Sequence, residues 1–199
     1  MSDAPVMTRP ELTMPAAEAE AVRAAYAAAD TILEYGAGGS TVLAAEMAGK
    51  RVFSVESDKS WVRMMTGWFK AHPPAAQVRV IHADIGPIAE WGQPRDDRGW
   101  KRYARYPLGV WEGGRMGQPD VVLVDGRFRV GCALAAAFHT KKPIPVLFDD
   151  YIRRKHYHAI EEIIGAPQEI IGRMARFEIT PTPVPVDRLA WLIRVMTHP

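Results

Sequence analysis

One cysteine, Cys132, in 199 residues leaves no partner for an internal disulfide. That excludes a disulfide-stapled scaffold and matches cysteine usage in a reducing compartment. Long apolar runs are missing too. None approaches the roughly eighteen residues of a membrane span, and the start MSDAPVMTRP has no basic stretch leading into an apolar one. The expected location is therefore the cytoplasm, with no membrane partner. Charge of one sign is scarce: 25 Lys+Arg against 23 Asp+Glu leave +2, too small a surplus to make nucleic acid an expected partner. Repeats, low-complexity tracts and long linkers are absent. What is present, 48% hydrophobic, 24% charged and 9% aromatic residues with 16 Gly and 16 Pro, is the composition of one globular domain over 1–199. A chain of this length buries roughly 70% of its extended surface and needs no staple. Its cations are chiefly arginine, 18 of 25, whose planar fork suits carboxylate and phosphate partners.

Periodicity gives the organisation. An Ala-rich stretch with early acids Glu18 and Glu20 predicts an N-terminal packing helix over 13–29. The apolar run 31–35 closes on Gly36-Ala37-Gly38-Gly39-Ser40, and 41–48 has helical composition, which makes a strand, a glycine turn and a helix. A second strand is predicted over 51–56 and a second helix over 58–71, stopped by Pro73-Pro74; a third strand at 78–82 runs into Ala83-Asp84-Ile85. The rhythm breaks at 87–119, a Gly-, Pro-, Arg- and Trp-rich insertion within the domain, and stretches of that length are usually functional. It resumes with strands at 121–125 and 145–148 and helices at 130–138 and 151–164, and two tail strands are expected within 168–179 and 189–195. Alternating strands and helices imply an α/β, doubly wound Rossmann-like sheet, mostly parallel with an antiparallel C-terminal hairpin.

Ligands of such sheets bind outside the carboxyl ends of the strands. Acids stand at all five predicted parallel ends: Glu34, Glu56, Asp84, Asp125 and Asp149-Asp150. Any one of them also fits a helix N-cap; their coincidence points to a ligand. The glycine turn lets a ligand approach the backbone closely, and Glu56 lies about twenty residues after Gly36, where an acid can hold both ribose hydroxyls. A dinucleotide and an adenosine cofactor both fit so far. Thr41 stands where the dinucleotide fingerprint has glycine, and that fingerprint needs no acid at Glu34, so a NAD-dependent reductase is the weaker reading.

Glu34-Tyr35-Gly36-Ala37-Gly38-Gly39-Ser40 resembles motif I of class I S-adenosylmethionine-dependent methyltransferases, acid-x-Gly-x-Gly-x-Ser/Thr. Val55-Glu56-Ser57-Asp58 resembles their ribose-binding segment and Ala83-Asp84-Ile85 their adenine-binding one, in the same order along the chain. The resemblance implies that Gly36, Gly38 and Ser40 line the methionine part of S-adenosylmethionine, Glu56 and Ser57 the ribose, and Asp84 and Ile85 the adenine. A sulfonium bearing an ammonium group favours nearby carboxylates, which Glu34 and Asp125 would supply.

For the acceptor, Asp125-Gly126-Arg127-Phe128 lacks the Pro-Pro-aromatic sequence of DNA adenine and protein glutamine methyltransferases. Asp125 with Asp149 and Asp150 is similar, more weakly, to catechol-type O-methyltransferases, whose corresponding Asp, Asp and Asn hold magnesium; this implies a divalent cation on Asp125, Asp149 and Asp150. Asp150 replaces the Asn, and that family's catalytic Lys is missing. Asp149 and Asp150 fit an N-cap and first-turn pair as well. Asp125 and Arg127 are the catalytic candidates, Arg127 as the binder of an anionic acceptor or oxyanion, since arginine stays protonated. The insertion, with Trp91, Trp100 and Trp111, reads as a lid over the acceptor, as packing on the sheet edge or a second subunit, or as a base-stacking surface. The expected activity is methyl transfer from S-adenosylmethionine to a small anionic or aromatic molecule, at oxygen. The alternatives are a non-catalytic S-adenosylmethionine-binding scaffold and an RNA methyltransferase, and a homo-oligomer is left open.

Overall fold

The computed structural model describes residues 8–199. Helix α1 (Ala16–Ala28) leads into β1 (Thr31–Tyr35), α2 (Gly39–Ala45), β2 (Arg51–Glu56), α3 (Lys59–Ala71) and β3 (Gln77–His82). After the insertion, which contains the short α4 (Arg105–Leu108), come β4 (Val121–Val124), α5 (Arg129–His139) and β5 (Ile144–Phe148). The chain closes with α6 (Glu161–Ile164), β6 (Glu169–Ile171), β7 (Met174–Ile179) and α7 (Leu189–Met196). Seven strands form one sheet in the order β3-β2-β1-β4-β5-β7-β6, the first five parallel and the last two antiparallel.

Strand position explains strand composition. Every residue of β1 and β4, central strands covered on both faces, is buried, so both read as unbroken apolar runs. β3 lies at the edge and has no fully buried residue. α3 is amphipathic: Met65 and Trp68 face the core, and the Asp58 carboxylate caps its start by accepting from the Ser60 N–H at 2.7 Å and the Trp61 N–H at 3.2 Å.

Two expectations need correcting. Residues 189–195 are a helix and not a strand: Leu192 and Met196, four apart, are the buried pair, and a run of seven apolar-rich residues is too short to separate the two periods. The antiparallel hairpin lies wholly within 169–179, as β6 and β7 joined at Gly172-Arg173. Nor is 151–164 one helix. Asp150 takes a left-handed φ of 58°, a 3-10 turn follows at Lys155–Ile160, and only Glu161–Ile164 is α-helical.

The insertion is a chain of short turns pinned to the sheet. Tyr103, Tyr106, Val110 and Met116 are buried in the main core. The Tyr35 hydroxyl donates to the Pro107 carbonyl at 2.6 Å and accepts from Trp111 Nε1 at 2.7 Å. Trp91 and Trp100 stay 85% and 61% exposed, so the aromatics divide between anchoring and surface.

Candidate active site

Strand order reverses between β1 and β4, which opens a crevice at the sheet's carboxyl edge. Parallel pairing continues past the strands, with the Ala83 N–H to the Glu56 carbonyl at 2.8 Å, Asp125 N–H to the Tyr35 carbonyl at 2.9 Å, and Asp149 N–H to the Val124 carbonyl at 3.1 Å. Three of the predicted acids are thereby fixed along one edge. A cleft of about 710 Å³ lies there, lined by Gly36–Ser40, Glu56, Asp125–Arg127, aromatic side chains of Trp61, Trp91 and Tyr106, and the segment 8–14. That volume suits a cofactor-sized ligand.

The turn after β1 is set by backbone needs. Gly36 has φ 104°, and a side-chain carbon there would stand 2.9 Å from the Gly126 nitrogen of the facing turn; only glycine meets both demands. The Gly38 N–H donates to Thr41 Oγ1 at 3.0 Å, and Trp61 Nε1 donates to the Ala37 carbonyl at 2.7 Å. Thr41, the departure from the dinucleotide fingerprint, thus stabilises the turn itself.

Glu56 sits on the rim in a cradle of donors. Its Oε2 accepts from the Ala37 N–H at 3.3 Å, and Oε1 accepts from the Ser57 and Asp58 N–H groups at 2.6 and 2.9 Å. Ser57 is buried, and its hydroxyl donates to the Gly92 carbonyl at 2.8 Å, tying the insertion to this rim.

Other expected contacts lie off the cleft. Glu34 is fully buried beneath the glycine turn, where Oε1 accepts from the Tyr26 hydroxyl at 2.6 Å and Oε2 has no partner among the described residues. Burial raises its carboxyl above the usual range. Ile85 is core. Asp84 accepts from the Gly86 N–H at 3.0 Å and from Arg102 Nη1 of the insertion at 2.6 Å, and these bonds hold its pKa low. Neither Glu34, Asp84 nor Ile85 lines the cleft.

At the β4 end, Asp125 pairs with Arg129 Nη2 at 3.1 Å. Burial, with the nearby charges of Asp149 and Asp150 adding to it, outweighs Arg129 and pushes the Asp125 carboxyl up to about 7. Asp149, fully buried, is gripped through both oxygens by Arg173 at 3.0 and 2.7 Å. Burial alone would raise Asp149; the Arg173 hydrogen bonds hold it below the usual carboxylate range. Asp150 meets Arg154 at 3.0 Å, Arg173 at 3.2 Å and Arg129 at 3.5 Å.

The chain is 56% identical to a methyltransferase-like protein from Silicibacter pomeroyi DSS-3, over 96% of this chain and 99% of that one, with a TM-score of 0.92. The chain belongs to the class I S-adenosylmethionine-dependent methyltransferase family. An RNA methyltransferase from Salinibacter ruber, solved with S-adenosyl-L-homocysteine, shares the fold at 16% identity over 88% of this chain and 96% of that one, with a TM-score of 0.50. No protein-family model and no curated protein matches the chain.

Within this methyltransferase the magnesium expectation does not fit the donor set. The structure does bring Asp125, Asp149 and Asp150 together, but Arg129 and Arg173 stand among them as counter-ions. No group of three candidate ligands able to hold a metal exists among the described residues. A hard cation needs oxygens free to turn toward it, and these are bonded to guanidinium groups.

Sequence reasoning also missed four contributors. Arg102 on Asp84 and Arg173 on Asp149 act across 18 and 24 residues, and no local pattern marks such pairs. Tyr106 is the insertion's pillar at the β4 turn, its hydroxyl accepting from the Arg127 N–H at 3.3 Å. The segment 8–14 lines the cleft without any motif of its own.

Proposed function

We propose that this methyltransferase binds S-adenosylmethionine along the Gly36–Ser40 turn and the Glu56 rim and transfers its methyl group to a hydroxyl of a small molecule held at Asp125–Arg127. The observation that carries this reading is the cleft that joins those three segments at the switch in strand order. Bound there, S-adenosylmethionine supplies a methyl carbon on a sulfonium: the acceptor oxygen's lone pair forms the C–O bond as the C–S bond breaks, leaving the thioether S-adenosylhomocysteine. Glu56, its carboxylate already oriented by backbone N–H groups, accepts from the ribose hydroxyls. Asp125, with its carboxyl near 7, takes the proton that the acceptor hydroxyl gives up.

Calorimetric titration with S-adenosylhomocysteine tests it. Saturable binding is expected, weakened by Glu56→Ala by about 100-fold or more, as for the loss of two hydrogen bonds to a charged group. A native protein that takes up no S-adenosylhomocysteine ends the proposal. The Asp125–Arg129 ion pair at 3.1 Å favours one second reading, a binding protein without turnover, because the proposed proton acceptor is already engaged by a guanidinium. Cofactor binding with no S-adenosylhomocysteine released across a panel of hydroxylated acceptors would support that reading.

A further inference from the structure

The β4 end of the cleft holds a cation that the described residues leave unmatched. Arg127 lines the cleft beside Asp125 and Gly126. Its hydrogen bonds among the described residues are made by its backbone alone, the N–H to the Tyr106 hydroxyl at 3.3 Å and the carbonyl from the Cys132 thiol at 3.4 Å. The surrounding guanidinium groups all have carboxylate partners: Arg129 on Asp125 and Asp150, Arg154 on Asp150, Arg173 on Asp149 and Asp150. Three carboxylates thus face four guanidinium groups, and Arg127 is the one left without a partner among the described residues. Leaving a half-buried charge uncompensated is costly. Burial, with Arg129 and Arg154 close by, holds the Arg127 pKa below its usual value, the direction expected where an anion is missing.

The backbone around this side chain is held from two sides. Tyr106 and Phe128 pack at 5.5 Å between ring centroids, and Phe128 takes a left-handed φ of 52°. The turn that carries Arg127 is therefore clamped between the insertion and the start of α5. The groups whose charge bears on the guanidinium include Tyr157 and Arg154, both beyond β5, whereas the Gly36–Ser40 turn and Glu56 lie at the β1 and β2 ends. Arg127 thus stands at the β4 end of the cleft, with β5-side groups as its charged neighbours. Trp61 and Trp91 supply exposed aromatic surface in the same cleft.

We propose that Arg127 is the anion-binding residue of the acceptor subsite, and that the acceptor is a small aromatic molecule bearing a carboxylate or phosphate group, which the guanidinium fork grips in a bidentate manner. This deepens the methyl-transfer reading above and rests on it. The carboxylate of the cofactor's own methionine part offers the same chemistry from another source, and the test separates the two.

Ligand-observed NMR would follow benzoate, and benzamide as its neutral counterpart, added to the protein saturated with S-adenosylhomocysteine. Benzoate is expected to bind and benzamide at least about tenfold more weakly; Arg127→Gln should lose at least about tenfold in benzoate affinity while its S-adenosylhomocysteine affinity changes less than about twofold. Arg127→Lys, which keeps the charge without the fork, should retain part of the benzoate binding and guards against a misfolded Gln variant. Equal binding of benzoate and benzamide, or benzoate binding untouched in Arg127→Gln, overturns the subsite. So does a parallel loss of S-adenosylhomocysteine affinity, which would give Arg127 to the cofactor. A protein that ignores S-adenosylhomocysteine sinks the reading of the preceding subsection alone, and the same benzoate titration without it then decides for or against Arg127.

Discussion

Asp125 is held where ionisation is opposed by burial and by two neighbouring carboxylates and assisted by one guanidinium. The sign of its linkage to pH follows. A carboxyl raised to about 7 in the fold, from about 4 in the unfolded chain, contributes stability that is fully present below pH 4. That contribution is lost as pH rises through 7. Asp125→Asn cannot ionise, so its melting temperature should vary less between pH 5 and 8 than the native protein's. On the proposed mechanism the same titration governs catalysis, because the ionised form is the proton acceptor. Turnover should climb roughly tenfold from pH 6 to pH 8 as a single group near 7 loses its proton, and Asp125→Asn should remove that limb of the pH profile. A flat native profile over this range would take the base role away from Asp125.

At the scale of elements, the ends of β4 and β5 and the start of β7 are joined by side chains as well as by the ladder. Arg173, in the turn between β6 and β7, holds the fully buried Asp149 at the end of β5. Removing one partner of such a pair strands a buried charge, at a cost of about 3 kcal/mol or more. Arg173→Ala should therefore lower the unfolding free energy by that much, seen as a lower urea midpoint with an unchanged slope. Freed carboxylates also become available ligands: millimolar magnesium, with no effect on the native melt, is expected to recover part of the loss in Arg173→Ala. Magnesium stabilisation of the native protein would instead restore the metal reading. These pairs mark the limit of what the chain's local patterns reveal. β1, β2, β4 and β5 were legible because their runs are apolar along most of the strand and end in an acid or a glycine turn. The glycine turn, Glu56 and Asp125 were legible because spacing along a strand-turn-helix unit fixes their position. α7 was hidden by a short β-branched and aromatic run, and the partners of Asp84 and Asp149 by their distance in sequence.

The whole molecule adds a wall that no single element supplies. The segment 8–14 runs across the first turn of α2, so closely that a side-chain carbon on Gly39 would strike the backbone of Glu11 and Leu12. Met14 is buried in the core beneath α1, Leu12 packs against the same cluster, and Arg9 reaches Glu46 at 2.6 Å on the surface. The segment is thus anchored at its inner end by apolar burial, while its outer ion pair is exposed and weak. It lies over the Gly39 end of the glycine turn and lines the cleft together with Trp61 and Trp91, so it stands beside a ligand seated on the turn. A chain that begins at Pro15 retains α1 and every strand, but loses this wall and the Met14 anchor, whose burial is worth roughly 1.5–3 kcal/mol. Its dissociation rate for S-adenosylhomocysteine, read by stopped-flow Trp fluorescence, should rise at least about tenfold with little change in the association rate, because the wall retains a seated ligand and does not guide its entry. Gly39→Ala, which displaces the segment without deleting it, should shift the rate in the same direction. Equal dissociation rates for the native and shortened chains would show that 8–14 is packing for α2 and no part of the cofactor's enclosure.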